Sequence, residues 1–491
     1  MHTPQIKIFT PEEMLSLSDT PDTDEFGLDD ISGGGESGQS GLGFENTAAK
    51  ERYKYMMRNE PFENMGAIET ELDALTGREM RSRAIDIGMM RGSKEKTQRK
   101  VYLDPLPHIR IEKAKDLQGW YKGKFDYEQK QRPRPCFTDA VLTEPYGGYC
   151  TVGCSFCYIN SGFRGYRGSG LITVPIGYGD QIRKQLSTMK TAAAGYFSSF
   201  TDPFLPLEEY YHNTQEGATA FVDAGLPIFF LSRLSYPGWA YDLLPRNKYS
   251  YAQKSLNTGI DADYKRLSPG ALSLEDHIQE VGELRRRGIY TSIQVNPIMA
   301  GITTHEHIRI LFERLAAVGN NHVIVKFVEA GFNWAPAMVE KARKRFGDRA
   351  EAFAELFRDN IGGERTIQEE YRLEAHHLYR KWATELGMTY ATCYEYKYQR
   401  DPLGEIVSKL GVSVGREFAT SEQCHGKRVP MFQRASPAEL FTEVVDCPPT
   451  GCLYCADENE GKPRCGNEEM GKAKAMRLVD MRKPVYGDPL S

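Results

Sequence analysis

The alternation of apolar and amphipathic segments across residues 136–396 is the feature that most constrains the fold. Short apolar runs fall at residues 140–142, 195–200, 227–232, 251–257, 290–296 and 323–328. The segments between them are longer and rich in alanine and charge, and two predict helices at residues 274–287 and 305–318, each ending at a glycine. This pattern is typical of βα units around a parallel sheet. We therefore predict an α/β fold, an open or partial (β/α)6 barrel with its chemistry at the carboxyl ends of the strands.

The segments on either side of the predicted barrel differ from it in composition. Residues 1–50 are rich in Asp, Glu, Gly and Ser, and predict a disordered acidic tail. Residues 51–135 form a basic N-terminal extension, with lysines and arginines recurring from Arg78 to Arg134. A surface for nucleic-acid phosphates and an ordinary solvated region of helix and loop both explain this stretch. Residues 397–491 predict a small Cys-rich metal-binding region with a basic tail.

The cysteines are better explained as metal ligands than as a disulfide framework. The chain has ten cysteines among 491 residues, and seven of them lie in two tight groups. The sequence shows no secretory pattern and no apolar run long enough to cross a bilayer, so we expect a cytoplasmic protein with no membrane partner and reduced thiols. The net charge of −5 argues against polyanion binding over the whole surface and leaves local basic surfaces open.

Cys150, Cys154 and Cys157 form the first group, in a glycine-containing loop directly after the first predicted strand. A structural zinc site or a ferredoxin cluster takes four protein ligands. Three thiolates on a [4Fe-4S] cluster leave one iron open to chelate the amine and carboxylate of an amino acid. Zinc with a remote fourth ligand, or inert thiols, is the alternative.

The CxxxCxxC spacing, with Phe156 before the last cysteine, resembles the defining motif of the radical S-adenosylmethionine (SAM) superfamily. The segment from Thr201 to Glu208 resembles the TDPYxPxE segment of its spore photoproduct lyase-like branch, and the resemblance covers roughly residues 136–330. It implies a partial (β/α)6 radical SAM barrel that generates a 5′-deoxyadenosyl radical from SAM, with an electron donor such as flavodoxin or ferredoxin. The implied SAM contacts are Ser198, Thr201, Asp202, Ser232, Ser255 and Asn296. Residues of these types also form turns in any α/β protein.

One departure from that branch bears on the reaction. The photoproduct lyases carry a hydrogen-donating cysteine downstream of the cluster motif, but this chain has no cysteine between Cys157 and Cys393. Repair of the photoproduct lyase type with that donor is therefore disfavoured. In one alternative the product radical takes its hydrogen back from 5′-deoxyadenosine, so that SAM is regenerated and the reaction is an isomerisation. In the other, Cys393 or Cys424 donates the hydrogen.

The second cysteine group supplies the four thiolates that a closed metal site requires. Its members are Cys447, Cys452, Cys455 and Cys465. Tetrahedral zinc and a second Fe-S cluster fit this set equally, because ligand number and softness are the same for both. Such a site either relays electrons or anchors substrate, or it holds together a region with little core.

A DNA substrate is the interpretation that these features favour. Basic stretches flank the predicted barrel, and residues 162–170 place further arginines directly after the cluster motif. A base inside a duplex would have to be flipped into the barrel. The chain resembles the phage radical SAM isomerases of thymidine hypermodification, which rearrange an amino-acid adduct on the thymine methyl and act in the host cytoplasm. The main alternative is a radical SAM enzyme that modifies a ribosomal peptide with an auxiliary C-terminal cluster.

Overall fold

The computed structural model describes residues 56–57, 65–86, 98–114, 117–119, 140–157, 170–198, 200–361, 363–393, 395–410, 417–421, 423–444 and 479–480. Its strands are β1 Glu69–Asp73, β2 Arg78–Asp86, β3 Gln98–Tyr102, β4 His108–Ile111, β5 Gln118–Gly119, β6 Ala140–Thr143, β7 Gly147–Gly148, β8 Ile172–Pro175, β9 Met189–Ala192, β10 Ala194–Phe197, β11 Ile228–Ser232, β12 Tyr251–Leu256, β13 Thr291–Ile298, β14 His322–Phe327, β15 Glu329–Gly331, β16 Asp359–Ile361, β17 Glu364–Thr366, β18 Thr389–Thr392, β19 Lys397–Arg400, β20 Ile406–Leu410, β21 Phe432–Gln433, β22 Thr442–Glu443 and β23 Val479–Asp480. Its helices are α1 Tyr178–Leu186, α2 Glu208–Tyr211, α3 Asn213–Asp223, α4 Gly238–Leu243, α5 Asp261–Leu267, α6 Leu274–Arg286, α7 His305–Ala317, α8 Ala335–Phe346, α9 Arg349–Leu356 and α10 Glu369–Glu385. The predicted acidic tail and the second cysteine group lie outside the described residues.

A parallel sheet is the centre of the fold. Its strands follow the order β18-β14-β13-β12-β11-β10-β6, with β5 added antiparallel at one edge. All six predicted strands are present, and β18 is a seventh that the sequence pattern did not predict. Because the strands follow chain order and such crossovers are right-handed, the connecting helices lie on one face of the sheet. This is the arrangement of barrels and half-barrels, and the degree of curvature stays a prediction.

The two faces of the sheet differ in polarity. On β13, Ile293 and Val295 belong to the large apolar core that includes residues of α6 and α7. Because side chains alternate along a strand, Ser292 and Gln294 point to the opposite face. Gln253 on β12 occupies the same face and donates to the Ser292 hydroxyl at 3.3 Å. The face opposite the helix-side core, called the inner face below, therefore carries polar groups on β12 and β13. The core of a solid barrel would be apolar at these positions.

The two helices predicted with glycine stops are confirmed. Helix α6 begins after Ser273, whose hydroxyl accepts from the backbone N–H of Asp276, and it ends just before Gly288 at φ 75°. Thr304 caps α7 in the same way. Both ends match the expected boundaries to within a residue, because the caps are local in the sequence.

The N-terminal extension is a sheet in its described part. Strands β1 to β4 pair antiparallel, and β4 continues parallel to β8. Several of its described cations have partners within the protein. Arg83 is buried and donates to the Gly66 carbonyl, and Arg81 forms an ion pair with Asp104 at 2.6 Å. Lys100 pairs with an acidic side chain of β1. The described part is strand rather than helix, and a phosphate-binding role of the basic stretch stays a prediction.

The amino edge of the parallel sheet is covered by the chain around residues 423–426. The ring nitrogen Nε2 of His322, the first residue of β14, lies 2.8 Å from the Cys424 carbonyl oxygen. His425 stacks on Tyr251 with ring centroids 5.1 Å apart. This end of the sheet is thus filled by side chains. Across the part of the chain that the structure describes, no helix combines the length and apolar character needed to span a membrane.

Candidate active site at the carboxyl edge of the parallel sheet

The loop that carries the first cysteine group is held by the segment that follows α5. The backbone N–H of Ser155 donates to the Leu267 carbonyl at 2.9 Å, and that of Gly270 donates to the Val152 carbonyl at 3.0 Å. A Cβ on Gly270 would lie 2.1 Å from the Thr151 carbonyl oxygen, so only glycine allows this approach. Residues 267–270 therefore fix the backbone of the cysteine loop.

The three cysteines of this loop are all partly buried. Cys154 lies next to the apolar core, and its sulfur accepts a hydrogen bond from the Ser268 hydroxyl at 3.5 Å. Among the residues that the structure describes, no three His, Cys, Asp or Glu side chains are grouped closely enough to be a metal site as they stand. The loop nevertheless has the donor set that an Fe-S cluster takes, three thiols on one anchored backbone with a hydroxyl donor beside a sulfur.

Asp202 ties the end of β11 to the loop after β10. Its buried carboxylate accepts from the Ser232 hydroxyl at 2.8 Å and from the backbone N–H groups of Arg233 and Phe204 at 2.8 and 3.0 Å. Burial raises the pKa of the Asp202 carboxyl above its ordinary value, while these donors act in the opposite direction. Two of the predicted SAM contacts are thereby brought together.

Arg233 joins three strand ends to the cysteine loop. One guanidinium nitrogen donates to the Asn296 carbonyl at 2.8 Å, and another donates to the Ser268 hydroxyl at 3.3 Å. The guanidinium carbon also lies 5.0 Å from the ring centroid of Phe156. The Asn296 carbonyl accepts from the Ser255 hydroxyl as well, at 3.3 Å. This buried arginine therefore contacts one more of the predicted SAM contacts, Asn296, directly and a second, Ser255, through the Asn296 carbonyl.

Buried polar atoms at this edge leave room for a ligand. Ser198 is 3% exposed with a left-handed backbone at φ 62°, and its hydroxyl has no hydrogen-bond partner among the described residues. Asn257 is fully buried, and neither atom of its side-chain amide has a partner there. Such groups cost free energy unless a ligand or water binds them. The site therefore fits a polar cofactor such as SAM.

Thr201 lies beside a buried pair of a tyrosine and a glutamate, Tyr146 and Glu208, in the same loop region. Its hydroxyl donates to the Tyr146 carbonyl at 3.2 Å. The Tyr146 hydroxyl donates to Glu208 at 2.6 Å, and that carboxylate also accepts from the backbone N–H of Thr214 at 2.9 Å. Burial raises the pKa of Glu208 to about 7. Glu208 thus links the loop after β10 to the residues just before the cysteine group.

The two predicted hydrogen donors lie at opposite edges of the sheet. Cys393 directly follows β18 at the carboxyl edge, where its sulfur lies 3.9 Å from the amide nitrogen of Gln294. Cys424 lies at the amino edge against His322. The six residues of β14 separate the two edges by roughly 17 Å. Cys393 is therefore the one of the two thiols that lies at the same sheet edge as the cysteine loop, and the donor role of both stays a prediction.

Four contributors to the site were not predicted from the sequence. Gly270 and Ser268 lie in a segment that matched the lyase-like branch, but only the fold shows that this segment contacts the cysteine loop. Arg233 and Asn257 each follow a predicted site residue closely in the chain. A polar residue at the end of an apolar strand was the available signal for both.

Comparison with known proteins decides the family. No family model matches the chain. A radical SAM Nα-GlyT isomerase of Pseudomonas phage M6 is 63% identical over 453 residues, which cover 90% of this chain and 94% of the phage protein. The chain belongs to this family of radical SAM isomerases. It is thus an enzyme of the radical SAM class, a class that works with SAM and a [4Fe-4S] cluster.

Solved structures of two other radical SAM enzymes are also similar. Spore photoproduct lyase complexed with dinucleoside spore photoproduct is 16% identical, covering 50% of this chain and 74% of that chain, with a TM-score of 0.38. SuiB of Streptococcus suis bound to S-adenosylmethionine is 13% identical, covering 52% of this chain and 50% of that chain, with a TM-score of 0.35.

Proposed function

We propose that this radical SAM isomerase acts on DNA, on a thymidine whose methyl group carries glycine through its α-nitrogen, and converts the adduct to a carbon-linked form. The observation that carries the proposal is the 63% identity to the phage Nα-GlyT isomerase along nearly the whole of both chains. The absence of any cysteine between Cys157 and Cys393 favours the same reaction, because an isomerisation needs no external hydrogen donor.

Cys150, Cys154 and Cys157 are the proposed cluster ligands, and cluster assembly would draw their thiolates together. With SAM bound, the cluster supplies a 5′-deoxyadenosyl radical. The protein's part is to bind and orient. Ser198 and Asn257 offer the unsatisfied polar atoms that a cofactor would bind, and Arg233 fixes the strand ends around them. Thr201, Asp202, Ser232, Ser255 and Asn296 remain proposed contacts or supports of SAM.

We propose that the reaction needs no hydrogen donor other than 5′-deoxyadenosine. The substrate loses a hydrogen to the radical, and the rearranged product radical takes it back from 5′-deoxyadenosine. Cys393 is the remaining thiol at the carboxyl edge among the described residues, next to Gln294. It is the donor to be tested if the hydrogen does not return.

Contact with DNA phosphates is proposed for a basic rim formed by the ends of α5 and α8. Lys265, Arg266 and Lys344 are exposed there, and Arg345 reaches across to the Arg266 carbonyl. This rim adjoins the segment that holds the cysteine loop. Replacing Lys265, Arg266 and Lys344 with glutamine would lower the salt dependence of DNA retention by about one unit per lost phosphate contact.

Three further features are proposed from the sequence. The second cysteine group would hold zinc or a second Fe-S cluster, and a flavodoxin or ferredoxin would supply electrons. The site of action would be the host cytoplasm of a phage infection.

The test is anaerobic incubation of the reduced, reconstituted enzyme with SAM and duplex DNA that carries the glycine adduct. We expect a product nucleoside of unchanged mass and altered linkage. With deuterium on the glycine α-carbon, one label should pass to 5′-deoxyadenosine and be recovered at the 5′ carbon of regenerated SAM, because a deuterium returned to the product amine exchanges with water. A Cys154→Ala enzyme is the control for the cluster.

Two results would contradict parts of this proposal. Accumulation of 5′-deoxyadenosine one for one with product would show that the hydrogen is not returned. In that case a Cys393→Ala variant that no longer forms product would identify the donor. Absence of any product from adduct DNA, with SAM cleavage intact, would refute the proposed substrate.

A further inference from the structure

A lysine lies on the polar inner face of the sheet at its carboxyl edge. Lys326 is the fifth residue of β14, whose apolar residues Val323, Val325 and Phe327 pack into the helix-side core. Alternation therefore turns Lys326 to the inner face. The pairing of Val325 with Thr392, the last residue of β18, sets Lys326 beside Cys393, the residue that directly follows β18.

Lys326 forms a shielded ion pair at this position. Its ammonium contacts the carboxylate of Glu329, and their side chains are only 13% and 9% exposed. The other oxygen of Glu329 accepts from the Tyr396 hydroxyl at 2.6 Å. The Tyr396 carbonyl is in turn contacted by the buried guanidinium of Arg372, at 3.4 Å. The contacts of Tyr396 and Arg372 thus fix the position of the ion pair.

A pair of this kind is a costly way to fill a sheet interior. Desolvating two charges offsets most of their attraction, and apolar residues of similar size would often stabilise the fold as well or better. Charged groups in such positions are more frequent at functional sites. The neighbouring Gln294 has an amide oxygen without a hydrogen-bond partner among the described residues. A hydrogen-bond acceptor near the pair is therefore available to a ligand.

We propose that Lys326 and Glu329 bind the amino-acid part of the substrate, with the Lys326 ammonium on its carboxylate and Glu329 on its amine. An amino-acid adduct carries both charges at short separation, so each member of the ion pair exchanges its partner for an oppositely charged substrate group. This inference rests on the proposed function and specifies which residues recognise the adduct. It requires no covalent step.

The position of the pair favours the adduct over two other anions. The proposed SAM-binding atoms lie on β10 to β13 and their loops, whereas Lys326 lies on β14, on the side of the sheet away from the cysteine loop. A DNA phosphate would meet exposed cations, and Lys326 is shielded. The carboxylate of an amino-acid adduct on an inserted base therefore fits this buried lysine better than the SAM carboxylate or a DNA phosphate does.

The test compares binding of three oligonucleotides to the SAM-loaded holoenzyme by fluorescence anisotropy. One carries the glycine adduct, one a methylamine adduct without the carboxylate, and one unmodified thymidine. The wild-type enzyme should bind the glycine adduct about 10- to 100-fold more tightly than the methylamine adduct. The variant Lys326→Met/Glu329→Gln should bind both adducts alike. It removes both charges together, so that no single charge is left buried.

A matched control is the variant Lys397→Met/Glu417→Gln. Lys397 and Glu417 form an ion pair of 3.0 Å at the surface, with side chains 42% and 47% exposed. This variant should keep the full preference for the glycine adduct. The control variant and the wild-type enzyme should melt at similar temperatures and cleave SAM at similar basal rates.

The outcomes separate this inference from the proposed function. If the wild-type enzyme does not distinguish the glycine adduct from unmodified thymidine, the proposed substrate is wrong. If the wild-type enzyme prefers the adduct and the Lys326→Met/Glu329→Gln variant keeps that preference, the inference is overturned. Loss of SAM binding in that variant would also overturn it, because the pair would then serve the cofactor.

Discussion

The close approach of Gly270 to the cysteine loop predicts a large effect from adding one methyl group. In Gly270→Ala the new Cβ would lie 2.1 Å from the Thr151 carbonyl oxygen and 3.1 Å from Val152 Cα. Ordinary contacts between carbon and carbonyl oxygen are roughly 3.3 Å or more. The contact is therefore short by about 1.2 Å. All the atoms concerned are backbone, so no side chain can rotate to relieve it.

The loop must move by about that distance, and it carries all three proposed cluster ligands. A misplacement of about 1 Å near reacting groups costs on the order of 100-fold in rate. We expect Gly270→Ala to bind less iron after anaerobic reconstitution and to cleave SAM at least about 100-fold more slowly. Because the shift is confined to one exposed loop contact, the thermal midpoint should change by only a few degrees.

Gly238→Ala is the matched control for this substitution. Gly238 begins helix α4, and a Cβ there would meet no atom within 4 Å. Its iron content and SAM cleavage should equal those of the wild-type enzyme. If Gly270→Ala reconstitutes and cleaves SAM as the wild type does, the contact does not hold the loop, and the argument from backbone proximity is refuted.

Three further substitutions test separate contacts. Ser268→Ala removes the donor to the Cys154 sulfur and should lower the cluster midpoint potential by on the order of 40 mV in an EPR-monitored titration; an unchanged potential would show that this bond is absent in the holoenzyme. Arg233→Lys cannot hold the Asn296 carbonyl and the Ser268 hydroxyl together, and should slow SAM cleavage roughly 10-fold in steady-state assays without unfolding the protein; a wild-type rate would contradict its positioning role. Burial lowers the pKa of His322 to about 4, so the unfolded chain takes up the proton first and stability falls by up to about 3 kcal/mol as the pH drops from 6.5 towards 4. His322→Gln should flatten this acid loss in denaturant titrations, and an equally steep loss would assign it to other groups.

The parallel sheet was predictable because its strands are apolar runs between capped helices. The strands of the N-terminal sheet were not, because charged residues interrupt them. In strand β2 apolar and polar residues alternate poorly. Its Arg83 can be buried because the backbone carbonyls of Gly66 and Met56 accept hydrogen bonds from it. Strand β18 has four residues without a distinctive apolar run, and it pairs only because β14 offers an edge. Both cases depend on partners that a local pattern does not contain.

The site was predictable where its residues form a motif and not where they act singly. The cysteine loop and the segment around Asp202 carry their own spacing. Arg233 belongs to no sequence motif. Its role in connecting strand ends is visible only in the fold, which brings Asn296, far along the chain, beside it. Lys326 had a clearer signal in the sequence than Arg233, because it is a single cation within an apolar strand. Cys424 shows the converse limit: its residue type suggested a hydrogen donor, but the sequence did not reveal that it lies at the amino edge of the sheet.

The chain that leads into the cysteine loop passes from the parallel sheet to the N-terminal sheet. Strand β6 belongs to the parallel sheet, whereas β7, just before Cys150, pairs with β8, which in turn pairs with β4 of the N-terminal sheet. The backbone N–H of Ile172 in β8 donates to the Pro107 carbonyl at 3.1 Å. We therefore expect the smallest working unit of this enzyme to be larger than its parallel sheet and the connecting helices. Trimming the chain to residues 136–396 would keep β8 but remove β4, the strand with which β8 pairs. Domain exchange or shortening therefore has to retain residues 65–111.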